Sequence, residues 1–287
     1  MPELPEVESV RRGLAAEELR APVVGVWRSE HRLRVGKNWA QENLQLLNGA
    51  TPGAVGRRGK YVVWSFAGQD GAELGLVIHL GMTGRCGVAH KGQPRVVHTH
   101  VVLEFADGRE LRLVDPRRFG GVRAAPMALL LREDPLGSMG PEPLEPGFSG
   151  AVLAERLGAS ARPIRDALLD QEAVAGVGNI YAVEALFAAG IHPLAPARRL
   201  HASAWDRLAA AVVTVLRQGV ENGGTTLKDF RNVVGEVGRN QDDLKAYGRA
   251  GEACVRCGTE LRGFVSGGRS GVYCPRDQAK PRTRLVR

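Results

Sequence analysis

The chain has 287 residues, 44% of them hydrophobic and 24% charged, which is the composition of an ordinary globular protein and not of a disordered one. At roughly 100–200 residues per domain it suggests one large domain or two ordinary ones, and no stretch nears the roughly 18 uninterrupted apolar residues of a membrane span. The acidic start Met1-Pro2-Glu3-Leu4-Pro5-Glu6 lacks the basic-then-apolar pattern of a secretory leader, so a cytoplasmic protein with no membrane partner is expected. Lys and Arg number 39 against 31 Asp and Glu, a formal charge of +8, and a surplus of this kind favours polyanionic partners.

A first helix is expected over Glu6–Leu19, where Val7, Val10 and Leu14 recur with helical spacing and Pro5 stands just ahead. The first half then turns β-rich. Val62–Phe66, Leu74–Leu80, Val101–Phe105 and Leu111–Val114 are short branched runs, and Asp107-Gly108 between the last two signals a hairpin. A sandwich or barrel follows. Gly137–Phe148 carries three prolines and three glycines and reads as a linker. Helical periodicity follows it, over Ala161–Asp170, over Asn179–Ala189 with Gly190 at its end, and from Trp205 to Leu216 with Gly219 or Asn222-Gly223-Gly224 closing it.

The C-terminal part carries three of the four cysteines. Cys254 and Cys257 form one two-residue-spaced pair, and after sixteen intervening residues Cys274-Pro275-Arg276-Asp277 has the spacing of a second. Two such knuckles make a zinc ribbon, but the fourth ligand position holds Asp277. A carboxylate can bind zinc at about 2.0–2.2 Å; water as the fourth ligand, or a hairpin without metal, are the other readings. Cys86, far away among strand residues, reads as a buried small apolar side chain. Between the knuckles, Ser266-Gly267-Gly268-Arg269-Ser270-Gly271 would form a tip at which Arg269 can fork onto a phosphate, or else a plain solvated turn.

At the other end, removal of Met1 would leave Pro2 with a free secondary amine. An α-amine titrates at about 7.7–8.0 against about 10.4 for lysine, so far more of it is neutral and nucleophilic near pH 7. Glu3 and Glu6 stand beside it as possible proton carriers.

Met1-Pro2-Glu3-Leu4-Pro5-Glu6-Val7-Glu8 and Arg11-Arg12-Gly13 resemble the start of bacterial formamidopyrimidine-DNA glycosylases. The resemblance continues in order through Arg57–Tyr61, His79–Gly84, Asp115–Gly120, Gly140–Leu144, Gly176–Tyr181, Gly223–Leu227 and Tyr247–Arg249, and ends in the cysteine module. It implies an α+β protein of two domains: an N-terminal β-sandwich with a flanking helix, and a C-terminal helix–two-turns–helix domain with a zinc-finger-like β-hairpin. The boundaries expected are 1–136 for the sandwich, 137–150 for a linker, 151–245 for the helical domain and 246–287 for the finger and basic tail. The family's two-turn element would use the helix at Asn179, one near Ala202–Gly219 and one near Thr226–Phe230.

The resemblance also implies roles. Pro2 is the nucleophile, Glu3 assists ring opening and proton transfer, and Lys60 and Arg269 serve the elimination steps. Met82, Arg117 and Phe119 fill the gap left when the damaged nucleotide is rotated out of the stack. His98, Arg162 and Asn179 contact DNA, Lys228–Asp243 caps the lesion, and one structural zinc sits in the finger. The implied protein is a bacterial, cytosolic, monomeric enzyme acting on damaged duplex DNA. It excises 8-oxoguanine opposite cytosine and formamidopyrimidines, then cuts the strand by β,δ-elimination. Two alternatives stand beside this reading: an endonuclease VIII-type glycosylase for oxidised pyrimidines, against which Leu4 and the complete void-filling set speak, and a catalytically silent zinc-ribbon DNA-binding protein, against which Pro2, Glu3 and Lys60 speak.

Overall fold

A computed structural model describes residues 1–33 and 43–279; the basic tail Lys280–Arg287 lies outside the described residues. The chain forms two compact units, Met1–Ser138 with Gly219–Gln241, and Met139–Gln218 with the described residues from Asp242 onward.

The first unit opens with helix α1 (Leu4–Ala16), followed by β1 (Val23–Arg28), β2 (Thr51–Arg58), β3 (Tyr61–Ala67), β4 (Glu73–His79), β5 (Arg85–His90), β6 (Thr99–Phe105), β7 (Arg109–Val114), β8 (Gly121–Pro126) and the short helix α2 (Met127–Arg132). The strands make two four-stranded antiparallel sheets, β1-β6-β7-β5 and β2-β3-β4-β8. Of the two architectures the strand pattern allowed, the sandwich is the one formed. In β3 every second residue, Val62, Trp64 and Phe66, is buried, the period-2 signature of a strand with one face in the core. Helix α1 buries Leu4, Val7, Val10 and Leu14 at the three- and four-residue spacing of one helical face. It starts two residues before the expected Glu6, because Glu3 and Glu6 form a capping box that satisfies its first amides.

Residues 219–241 belong to this unit and not to the helical segment 151–245 in which they were expected. Phe230 and Val233 join the sandwich core, and a Cβ on Gly13 would lie 2.9 Å from the Val233 side chain. The helix expected at Thr226–Phe230 is not formed. Gly223 and Gly224 take φ of +71° and +89°, which turns the chain, and the Thr225 amide donates to Glu6 across the fold instead of up a helix.

The second unit contains α3 (Gly150–Leu157), α4 (Ile164–Leu168), α5 (Asn179–Ala189), most of α6 (Ala202–Glu221) and the hairpin β9 (Arg262–Ser266) and β10 (Arg269–Tyr273). Helix α5 spans the expected residues and ends at Gly190 in the left-handed conformation, φ +67°. The expected helix Ala161–Asp170 shortens to α4, with Pro163 as its N-cap. The 137–150 segment is not a free linker, since from Met139 it is part of this unit. Gly140 N–H donates to Gln171 O at 2.9 Å and Ala175 N–H to Pro141 O at 3.1 Å. Among the described residues no helix is long and apolar enough to cross a membrane. Cys86 pairs with Leu113 across β5 and β7 and is buried, which pushes its thiol up to about 12.

Candidate active site and nucleic-acid interface

At the N-terminus of α1, Pro2 is buried and Glu3 and Glu6 are 3% and 2% exposed. Glu6 Oε2 accepts the Glu3 amide at 2.7 Å, and Oε1 accepts the Thr225 amide at 2.6 Å. Both oxygens of Glu6 are thus engaged as acceptors. Thr225 Oγ1 in turn accepts from Asn240 Nδ2 at 2.9 Å. A Cβ on Gly224 would lie 3.0–3.1 Å from Glu6 atoms, so glycine is needed there for space as well as for its φ. A carboxylate pair at a helix N-terminus is also favoured by the helix dipole.

Lys60 sits in the two-residue turn between β2 and β3, after Gly59 at φ +54°. It is buried, not the solvated charge that a lysine at a strand start would ordinarily be. Burial first, and then the Lys60 charge, lower the His79 imidazole to about 4, against an opposing pull from Asp115. His79 is therefore neutral near pH 7. Burial raises the Tyr61 phenol, which packs on His79 at 4.6 Å between ring centroids, to about 12. Nearby on α1, Glu8 gathers Arg11 and Arg12 at 2.9 Å and Arg57 at 3.4 Å. Burial pushes the Glu8 carboxyl up, but these guanidinium groups together outweigh it and hold it below the usual range.

Met82 lies in the turn between β4 and β5, 40% exposed. His98 lies in the exposed approach to β6, and Arg117 and Phe119 in the turn between β7 and β8. The Arg117 guanidinium stacks over the Phe119 ring, 4.7 Å from its centroid. Asp115 has no exposed surface. Its Oδ1 accepts from Thr83 Oγ1 at 2.6 Å and from the Arg117 amide at 3.2 Å. Its Oδ2 accepts from the Gly120 amide at 2.7 Å, and its own amide donates to His98 O at 2.9 Å. Nothing in sequence sets Asp115 apart from the rest of Asp115–Gly120, since its partners extend to 32 positions away.

In the second unit, Asn179 opens α5 and joins the finger. Its Nδ2 donates to Ser270 O at 2.8 Å, and its Oδ1 accepts from Arg165 Nη1 at 3.2 Å. Arg165 is wholly buried. Through Nη2 it donates to Ser266 O at 2.6 Å and Arg269 O at 3.2 Å, and it pairs with Asp166 at 3.0 Å. Burial lowers its pKa, which Asp166 opposes and Arg269 reinforces. Arg165 thus braces the tip that exposes Arg269, a structural task its sequence neighbourhood did not reveal. Arg162 pairs with Asp170 at 2.9 Å and donates to Asp166 O at 2.8 Å. With Arg269 and Gly267 it lines a cleft of about 330 Å³.

The ligand atoms of Cys254, Cys257, Cys274 and Asp277 all lie within 4.8 Å of one another. Cys257 and Cys274 sulfurs are 3.5 Å apart, and Asp277 Oδ2 is 3.6 Å from Cys254 Sγ. A tetrahedral zinc with bonds of about 2.3 Å to sulfur needs sulfur–sulfur edges of about 3.8 Å. The donor set fits one structural zinc ion. Its surroundings are braced: Gln278 accepts the Cys274 amide and donates to Ile191 O, both at 2.8 Å. Glu184 accepts the amides of Lys245, Ala246 and Tyr247 at 2.7–2.9 Å. Arg256 donates to the α5 carbonyls of Phe187 and Ala188. If Asp277 completes the shell, metal analysis of purified protein gives about one zinc per chain and D277A holds several-fold less in a chelator titration. Equal retention by both would remove Asp277 from the shell.

The comparisons with known proteins converge on one kind of molecule. Residues 1–122 match the formamidopyrimidine-DNA glycosylase N-terminal domain, 139–231 the formamidopyrimidine-DNA glycosylase H2TH domain and 251–279 the zinc finger found in FPG and IleRS. A formamidopyrimidine-DNA glycosylase of Pseudomonas paraeruginosa is 43% identical over 283 residues, covering 97% of this chain and all of that one. The crystal structure of MutM (FPG) from Thermus thermophilus superimposes with a TM-score of 0.84 at 39% identity, covering 98% of this chain and all of that one. A Lactococcus lactis FPG variant, in complex with a Fapy-dG-containing DNA, gives 0.87 at 32% identity over 97% of this chain and all of its own. Sandwich, helical unit and finger are together those of a DNA glycosylase. The chain belongs to the formamidopyrimidine-DNA glycosylase family.

Proposed function

We propose that this glycosylase removes oxidised purines from duplex DNA, 8-oxoguanine opposite cytosine and formamidopyrimidines, and then cleaves the strand as an abasic-site lyase. The observation that carries the reading is the buried Pro2-Glu3 start of α1, in a relative of a protein that was crystallised with Fapy-dG DNA. Once Met1 is gone, the Pro2 nitrogen attacks the sugar C1′. The glycosidic bond breaks, and the base leaves with the bonding pair and takes up a proton. Glu3 supplies a proton to the ring oxygen as the sugar opens, and the Pro2 nitrogen becomes an iminium. Loss of a C2′ proton then expels the 3′ phosphate, and a second elimination expels the 5′ phosphate. Lys60 and Arg269 serve these proton and phosphate transfers, and water releases the sugar remnant from Pro2.

Arg117, Phe119 and Met82 fill the vacated space, Arg117 hydrogen-bonding the orphaned cytosine and Phe119 wedging the stack. The stacking of Arg117 on Phe119 supports their acting as a unit. His98, Arg162 and Asn179 contact the DNA, and the finger that carries Arg269 is held by its zinc ligands. Borohydride added during turnover of an 8-oxoguanine duplex is expected to give a covalent adduct that peptide mapping assigns to Pro2. An adduct on another side chain overturns the mechanism. Faster excision from an oxidised-pyrimidine duplex than from the purine one overturns the substrate class.

A further inference from the structure

We propose that Asp115 is a positioning residue that holds the turns bearing Met82, His98, Arg117 and Phe119 in one preset arrangement. The inference rests on the reading above that Arg117 and its neighbours occupy the space left by the extruded nucleotide. A fully buried carboxylate is costly unless its lone pairs are matched by donors, and here each donor comes from a turn with an exposed tip. Thr83 and the amides of Arg117 and Gly120 take the carboxylate. The Asp115 amide holds the carbonyl of His98, and its carbonyl takes His100 Nε2 at 3.0 Å.

Two independent features mark the cluster as set rather than relaxed. His98 and Arg118 both have positive φ, +68° and +58°, where a side chain other than glycine is held at a cost. Gly81 also lies so close to the neighbouring turn that a Cβ would be 2.3 Å from the Phe119 carbonyl carbon. The two turns meet backbone to backbone. The carboxylate is needed because two of the groups facing it, the Arg117 and Gly120 amides, can only donate, and the Thr83 hydroxyl donates to it while accepting the Arg117 amide at 3.3 Å. An asparagine must turn its NH₂ toward either the Gly120 amide or the Thr83–Arg117 pair, and one donor then faces another.

The test compares excision of 8-oxoguanine opposite cytosine with excision opposite adenine. A smaller folded fraction lowers both rates alike and cancels in their ratio. D115N is expected to slow excision opposite cytosine at least tenfold and to bring the cytosine-to-adenine ratio toward one. T83V, which removes one donor to the carboxylate and the hydroxyl's bond from the Arg117 amide but leaves Asp115 its two amide donors, moves both in the same direction by a smaller factor and covers the case in which D115N fails to fold. R117A tests the underlying reading. If R117A collapses the ratio while D115N and T83V leave it at the parental value, Asp115 does not position the cluster. If R117A itself leaves the ratio unchanged, the void-filling reading fails and the proposal falls with it.

Discussion

With Met1 retained, or with any tag ahead of Pro2, borohydride is expected to capture no covalent adduct on lesion DNA, while zinc content and thermal unfolding stay those of the parent. Acylation turns the Pro2 nitrogen into a tertiary amide whose lone pair is delocalised into the preceding carbonyl. That nitrogen has no basic lone pair to attack C1′, and it can no longer be converted to an iminium. Pro2 is the residue for which this matters most, because an α-amine ordinarily titrates at about 7.7–8.0 against about 10.4 for lysine, so far more of it is neutral and nucleophilic. Excision and strand cleavage should both fall by a factor of about 10³ or more, since removal of a covalent nucleophile that acts as part of a unit costs on that scale. Undiminished trapping by a tagged protein of verified mass would refute the assignment.

Substituting Glu3 by Gln should leave lesion binding within about threefold and reduce single-turnover base release by about 10²–10⁴, the usual range for a lost general acid or base. Glu3 is buried at the N-cap of α1, and Gln matches its shape and keeps an acceptor for the capping bond, so the helix start survives. What is lost is a proton that can be delivered and recovered. The check is a gel-shift affinity measured beside a rapid-quench rate on the same preparation. A variant that binds and excises like the parent removes Glu3 from the chemistry. A variant that loses binding and excision together assigns it to structure alone.

What the sequence made legible was local. The Asp107-Gly108 turn, the alternation in Val62–Phe66, the span of α5 with Gly190 at its end and the spacing of the knuckles all involve residues within a few positions of each other, where turn chemistry and periodicity speak directly. The pieces that stayed hidden are joined over long distances. Thr225 reaches Glu6 over 219 positions, so Gly223-Gly224-Thr225 could be read as a helix boundary but not as a strap across the α1 start. Arg165 stands three positions after Arg162 with nothing in sequence to set it apart, yet its guanidinium is spent on carbonyls about 100 positions later. Asp115 looked like one letter of a motif: the Arg117 and Gly120 amides that it accepts lie in that same motif, while its bonds to Thr83 and His98 run to turns whose closeness only the sandwich creates. The helix expected at Thr226–Phe230 failed for the same reason: Phe230 goes into the sandwich core, and that demand outweighs local propensity.

The sandwich is discontinuous in sequence, since Gly219–Gln241 completes a body that otherwise ends at Ser138. During translation at about 5–20 residues per second, the nascent polypeptide must wait several seconds after its last strand leaves the ribosome before the piece that covers Gly13 and clasps Glu6 is made. Folding of the amino-terminal half therefore cannot finish as a vectorial event. It closes late, in the same interval that the helices between are being synthesised, and a fragment truncated at the apparent interdomain junction would be born with the edge of its core that Phe230 and Val233 cover laid open.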